Sequence, residues 1–402
     1  MSRDITLLFS TRIIRLFCYG LLAVVLALYL SAAGLPEAQV GLLLTLTLAG
    51  DALISLWLTT SADRLGRKRT LILGALLMAG AGLAFVLTRN VVLLVIAAIV
   101  GVISPSGNEI GPFLSVEQAS LTQLVPDTKR TQFFAWYALA GSLATATGSL
   151  TGGWLAQILQ ESGWAAFDSY RLLLIGYALG GLVLLLLFIN LTSAVEIGPA
   201  QSGRKRILGL HRSGAMVLKL SSLFALDAFA GGLLVQSLIA YWFHVQFGVE
   251  PGVLGSIFFG ANLLAGISAL LAIRLAEKFG LINTMVFTHI PSNILLMLVP
   301  LMPTLPLAIG VLLLRFSISQ MDVPTRQSYT MAVVAPDERS AAAGITGIAR
   351  SIGASLSPAL TGLLFSLPTL FNVPFFLSGG LKIIYDLILY REFRAVKPPE
   401  ET

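Results

Sequence analysis

TLTLAGDALISLWLTTSADRLGRKRT, residues 45–70, decides how the rest of the chain is read. Most of it is apolar enough for a lipid interior, yet a carboxylate, Asp51, sits in the middle. The stretch then ends with four basic residues in the six positions 64–69. An apolar run closed by a basic burst is the mark of a membrane span anchored at a short inner loop.

The whole chain agrees with that reading. Of its 402 residues 56% are hydrophobic and only 11% are charged, against about 25% charged in soluble domains. The partner implied by this composition is a lipid bilayer. The single cysteine, Cys18, excludes an intramolecular disulfide and a thiolate metal cage. The net charge of +6 is dispersed among short loops, so topology accounts for it and no nucleic-acid partner is expected.

A helix crossing roughly 30 Å of hydrocarbon needs about 20 apolar residues. Twelve such runs are present, near 12–33, 39–61, 70–88, 91–123, 131–157 and 170–192, then 217–242, 252–273, 282–300, 304–333, 339–366 and 370–390. Their length predicts helices rather than barrel strands, which would alternate in polarity over about ten residues. The first run is too long for a signal peptide and is expected to be a retained helix. The fold class is therefore an all-α polytopic membrane protein. Residues 193–216 form the one long polar break, so the expected division is a six-helix bundle over 1–192, a linker over 193–216, and a second bundle over 217–402. An even number of spans puts both termini on one side. That side collects the 62–69 loop, Lys129, Arg130, the linker's Arg204, Lys205, Arg206 and Arg212, then Arg274, Lys278, Arg339, Arg391, Arg394 and Lys397. The opposite loops hold Arg89 and Arg171. The positive-inside rule makes the crowded side cytoplasmic, and a multi-pass protein of the plasma membrane is expected.

The two halves repeat each other. LVPDTKRTQ (124–132) matches VAPDERSAA (334–342) at a shift of 210, which also superposes Thr151-Gly152 on Thr361-Gly362. ADRLGRKRT (62–70) faces AEKFGLINT (276–284), with Gly66 on Gly280. Between the second and third spans stands Thr59-Thr60-Ser61-Ala62-Asp63-Arg64-Leu65-Gly66-Arg67-Lys68. This resembles the G-x-x-x-D-R-x-G-R-K/R signature of the major facilitator superfamily, with Thr59 in place of the leading glycine. That superfamily is a standing example of two related six-helix halves. A fainter likeness to its drug/proton-antiporter-like members lies in Gly148-Ser149-Leu150-Thr151-Gly152-Gly153, where their G-P-x-x-G-G has lost its proline to Ser149.

The resemblance implies a gating role for this loop, built on Asp63, Arg64, Gly66, Arg67 and Lys68. Gly66 permits a turn too tight for a Cβ. Asp63 would accept from N–H groups at the start of the eleventh helix, near Glu338. Arg67 would reach an acid at the inner end of the fourth, Glu117 or Asp127. The alternative is that these charges only fix topology.

Ionisable side chains at mid-membrane cost about 2.5–3.5 kcal/mol on insertion scales and are functional candidates by default. Asp51 lies in the second span, Glu109 in the fourth, Asp227 in the seventh, and Arg315, Asp322 and Arg326 in the tenth. The fourth and tenth spans are overlong, and both carry proline beside a carboxylate. Paired interruptions of corresponding helices point to a transporter's central site. At about 1.5 Å per residue, Glu109 and Asp322 lie roughly 27 Å from the outer ends of their spans. Asp51 and Glu109 have no basic residue within a helical turn, so each is a candidate for carrying a proton or meeting a cation. For Asp51 the alternatives are an inter-helix pair with Arg15 or another arginine, or a satisfied hydrogen bond. Asp322 and Arg326 are four apart and are able to neutralise each other, as are Lys382 and Asp386. His289 reads as a buried structural imidazole. Aligning CYGLL (18–22) with AGGLL (230–234) sets Arg15 opposite Asp227, a candidate pair between the halves.

No nucleotide-binding run or catalytic constellation is found, so neither cofactor nor enzymatic activity is expected. The leading expectation is a monomeric secondary transporter of a small-molecule substrate, driven by protons or another coupling ion. The surplus of acids favours proton-coupled efflux of an organic cation or weak base. The runner-up is uptake of a nutrient or organic anion recognised by Arg315 or Arg326. A sensor or scaffold without transport is the alternative of another class.

Overall fold

Long apolar runs have one way to satisfy their backbone in lipid, which is to bond internally as helices. The structure, a computed structural model, describes residues 3–108, 113–126, 130–196, 212–335 and 338–396. Among the described residues it contains fifteen α-helices and no strand. In chain order they are α1 (Arg3–Ala32), α2 (Glu37–Leu65), α3 (Arg67–Leu87), α4 (Val91–Val100), α5 (Phe113–Leu124), α6 (Arg130–Glu161), α7 (Ala166–Ile189) and α8 (Gly214–Gly232). After these come α9 (Gln236–Phe247), α10 (Pro251–Phe279), α11 (Leu281–Leu298), α12 (Leu305–Phe316), α13 (Asp322–Ala332), α14 (Arg339–Phe365) and α15 (Val373–Phe393).

Twelve spans account for fifteen helices because three spans are broken in two. The fourth is α4 and α5, the seventh α8 and α9, the tenth α12 and α13. The fourth and tenth breaks are those the sequence points to. The seventh falls at residues 233–235, where no proline or charge announces it. In the tenth, the break precedes Asp322, which opens α13 where a negative charge suits the helix dipole. Pro324 then sits in the first turn of α13, where a missing N–H costs nothing.

Among the described residues, nine segments are individually long and apolar enough to cross a bilayer. The fifth span, α6, falls short because it is rich in glycine, alanine, serine and threonine. Those small residues have another use. A Cβ on Gly148 would lie 2.0 Å from the Phe17 carbonyl oxygen, and one on Gly20 would lie 2.1 Å from that of Thr145. The backbones of α1 and α6 therefore meet almost directly, the packing that small residues allow where lipid offers no hydrophobic drive. The counterpart pair in the second half does the same: a Cβ on Gly353 of α14 would lie 2.2 Å from the Ala225 carbonyl oxygen of α8.

The chain forms two compact units, and their border does not follow the polar linker. One holds residues 1–204 and 235–259, the other 205–234 and 260–402. Thus α9 and the start of α10, which belong by sequence to the second half, are built into the first unit. Small residues and hydrogen bonds fix them there. A Cβ on Gly153 would lie 2.2 Å from the Pro251 carbonyl oxygen. Tyr241 donates to Glu37 at 2.8 Å, Trp154 to Ser256 at 3.0 Å, and the Ser237 N–H to the Pro105 carbonyl at 3.1 Å.

The broken spans find partners for their freed backbone groups. In the fourth, Ser104 donates to the Asn108 carbonyl at 2.8 Å and Tyr177 donates to the carbonyl of Val102. In the seventh, Thr361 donates to the Leu233 carbonyl at 2.7 Å and Ser378 to that of Ala230 at 2.7 Å. In the tenth, the Gln320 N–H reaches Ser268 at 3.1 Å. Side chains from neighbouring helices thus take these positions, as backbone in a membrane interior demands.

Candidate functional site

Among the described residues, each unit buries a cluster of charge. In the first, Arg15 of α1 grips Glu117 of α5 with both ends of its guanidinium, at 2.9 and 2.7 Å. Both residues are fully buried. Thr11 donates to the same carboxylate at 2.9 Å, and so does the Tyr137 hydroxyl of α6. The Arg15 guanidinium lies over the Phe113 ring at 4.5 Å. A two-pronged arginine–carboxylate pair is the strong form of the interaction, and the extra donors meet the lone pairs that burial would otherwise leave bare.

In the second unit, Arg326 of α13 donates to Asp227 of α8 at 3.0 Å and to Asp322 at 2.9 Å. Lys382 of α15 donates to the other oxygen of Asp227 at 2.6 Å. Arg350 of α14 approaches Asp227 at 3.9 Å, beyond hydrogen-bonding reach. Beside this group His289 faces Asp386 at 2.9 Å, and Asn293 donates to the second Asp386 oxygen at 3.3 Å.

Arg15 is engaged on Glu117, and Asp227 on Arg326 and Lys382, each inside its own unit. Lys382 and Asp386 do not form the local pair that their spacing allows, because their partners are Asp227 and His289. The Asp322–Arg326 pair does form, with Asp227 as a second acceptor. His289 is buried, as read. Asp51 is buried on α2 and accepts a long hydrogen bond from Ser55 at 3.3 Å. The Arg315 Nε is buried without a hydrogen-bond partner. Glu109 lies outside the described residues.

What the sequence missed is a correspondence. The halves repeat with a shift near 210, so Arg15 corresponds to Asp227 and Glu117 to Arg326. Each half therefore carries one ion pair between the same two spans, with the signs reversed. The alignment already held the first correspondence; applying nearly the same shift to Glu117 gives the second. Nothing in the sequence announces Arg350 or the reach of Lys382.

The basic loop is held within the first unit. Gly66 has φ +93 and its counterpart Gly280 has φ +84, the left-handed region in which a Cβ is strained. Glu196 caps the start of α3, accepting from the Arg67 and Lys68 N–H groups at 2.7 and 3.1 Å. Instead of meeting Glu117, Arg67 donates to the carbonyls of Ala119 and Val195 at 3.1 and 3.3 Å. Lys68 donates to the Leu191 carbonyl at 2.8 Å. The side chains of Asp63 and Arg64, and all of Asp127, lie outside the described residues. In the second unit Glu338 accepts from the Arg212 and Ser213 N–H groups, both at 2.8 Å, at the start of α8. The two carboxylates thus clamp helix N-termini, where negative charge is favoured. Glu196→Ala is expected to cost about 1 kcal/mol by loss of this cap. Thermal unfolding of the purified protein checks it, and Glu196→Gln should retain part of the loss.

Comparison with known proteins places the chain. Residues 8–358 match the family model of the Major Facilitator Superfamily. A relative in Saccharomyces cerevisiae (strain ATCC 204508 / S288c), the uncharacterized membrane protein YJR124C, is 32% identical across 98% of this chain and 95% of its own length. Among solved structures, a bacterial homolog of the human lysosomal transporter Spinster, in an inward-facing and occupied conformation, superposes with a TM-score of 0.73. It is 18% identical, over 97% of both chains. The nucleoside transporter NupG gives a TM-score of 0.75 at 13% identity, covering 98% of this chain and 99% of its own. A D-xylose–proton symporter gives 0.74 at 15% identity, covering 96% and 97%. At such identities these structures show a shared fold. The family model and the yeast relative show more: this chain is a membrane transport protein, not an enzyme, and belongs to the Major Facilitator Superfamily.

Proposed function

We propose that the chain is a proton-coupled secondary transporter of a small organic solute, working by alternating access. The sign-reversed pairs, Arg15–Glu117 and Asp227–Arg326, carry the reading. Buried charge is costly in a membrane and is kept where it works. A carboxylate clasped by arginine is a poor proton acceptor. It becomes a good one when its cation withdraws, because a lone charge in low dielectric is expensive. Proton uptake is thereby tied to any helix movement that opens a pair, and a ligand that prefers the opened state shifts the same equilibrium.

The basic loops support an orientation with both termini cytoplasmic; the reading is of a multi-pass monomer in the plasma membrane. Asp51, Glu109, Asp227, Arg315, Asp322 and Arg326 are the side chains proposed to meet proton or solute, and residues 63–68 with Glu117 are proposed to move during gating. Export of an organic cation or weak base is a second reading. Its candidates are Asp51, buried on α2, and Glu109.

The test uses purified protein in liposomes with a pH-sensitive dye inside and a library of organic cations, weak bases and organic acids outside. Solute-triggered proton movement is expected, and Asp227→Asn and Glu117→Gln should each reduce it at least tenfold. Proton movement unchanged in both variants overturns the coupling. Movement triggered by cations and abolished by Asp51→Asn selects the export reading.

A further inference from the structure

We propose that Arg350, on α14, is the anchor for the anionic group of the transported solute, a carboxylate or phosphate. The inference rests on the transport reading and adds the charge of the cargo.

Hydrogen-bond saturation comes first. Asp227 receives Lys382 on one oxygen at 2.6 Å and Arg326 on the other at 3.0 Å. Arg326 also serves Asp322 at 2.9 Å, and Asp386 is taken by His289 and Asn293. Arg350 comes late to this arrangement. Its Nη1 is 3.9 Å from Asp227 and is buried without a hydrogen bond. A guanidinium carries five donors in a planar fork, and leaving one buried and unmet is unfavourable. A ligand carboxylate or phosphate matches that fork in both charge and shape.

Charge balance agrees. The ionisable groups described in the spans of this unit that are buried are Asp227, Asp322 and Asp386 with Arg326, Lys382 and His289; Arg315 and Arg350 are half-buried beside them. Only when the two half-buried arginines are included do four permanent cations face three carboxylates, so the surplus positive charge lies with those two side chains. The unit is asymmetric in this respect. The shift of 210 that relates the halves sets Arg350 on Ala140, so the extra cation has no counterpart in the repeated architecture.

Access completes the case. The Arg350 side chain is 36% exposed, although it lies in the interior of a membrane-spanning helix. An arginine flank facing hydrocarbon is heavily penalised, so this flank faces water. Space lies beside it: a Cβ added to Gly347, one turn earlier on α14, would meet nothing within 4 Å, and the same holds at Gly344.

The experiment requires no knowledge of the natural solute. Cys18 is buried and is the single native cysteine, so a thiol introduced by Gly347→Cys reports on the Arg350 environment in the full chain. Two methanethiosulfonates are compared in liposomes, one bearing a sulfonate and one a trimethylammonium group. Each rate is normalised to that reagent's rate with a free thiol in solution. The sulfonate reagent should react at least tenfold faster, and adding Arg350→Gln should abolish that preference. A preference for the cation, or a preference unchanged by Arg350→Gln, overturns the proposal. So does absence of reaction with either reagent, since the flank would then lie in lipid. None of these rates depends on proton movement, so failure here leaves the coupling test standing, and failure of coupling leaves the anion site standing.

Discussion

Glu117→Ala is expected to lower the stability of the folded protein by about 3–5 kcal/mol, the range for breaking a buried ion pair from one side. The physical reason lies in what remains. Arg15 is fully buried and would lose the carboxylate that both ends of its guanidinium grip. Thr11 and Tyr137 would lose their shared acceptor as well. Removing both charges together should be much milder, because a well-packed apolar pair avoids desolvation on both sides. The discriminating comparison is therefore Glu117→Ala, Arg15→Met and the double variant Arg15→Met/Glu117→Leu, by unfolding in mixed micelles. Two singly substituted proteins well below the double one is the expected pattern. Independent, additive losses would show that Arg15 and Glu117 do not act as a unit.

Gly148→Leu should be still more damaging. Overpacking a membrane or soluble core costs about 1–3 kcal/mol when neighbours are able to shift, but here the obstacle is backbone. A Cβ at position 148 would lie 2.0 Å from the Phe17 carbonyl oxygen, 2.8 Å from its carbon and 3.0 Å from the Leu21 nitrogen. No rotamer change relieves contacts with main-chain atoms, so α1 and α6 must separate. Loss of monodisperse protein on extraction is the expected readout. Gly176→Leu, on α7 where an added Cβ meets nothing within 4 Å, should extract normally. A Gly148→Leu protein that extracts and melts like its parent would show that the α1–α6 seam is not the close contact described here.

Both effects arise at helix–helix contacts, and this is where legibility from the sequence changes. Span number, the polar linker and the repeat could all be read from the chain. Hydropathy accumulates along contiguous residues, and loop chemistry is local. Gly66 and Gly280 illustrate this: a glycine between two spans in both halves is a local signal, and both adopt positive φ. The breaks in the fourth and tenth spans were equally visible, since proline beside a carboxylate interrupts an apolar run. The seventh break was hidden because Gly231-Gly232-Leu233 differs little from the small-residue seams elsewhere in the chain.

Partners of the buried charges were a different matter. Lys382 and Asp386, one turn apart, read as a pair; they face Asp227 and His289 because packing turns α15 toward α8 and α11. Arg15 could have met several acids, and the rotation of α1 that gives it Glu117 is fixed where Gly20 and Gly148 bring α1 and α6 together. The assignment of α9 to the first unit likewise depends on contacts between residues about a hundred positions apart, such as Gly153 and Gly255. The sequence by itself thus determined which segments enter the membrane, their order, and which residues are too polar to be there without a reason. Tertiary structure decided which of those residues answer one another. In a span apolar nearly all round, periodicity does not fix the angle about the helix axis; close backbone contact with a neighbour does.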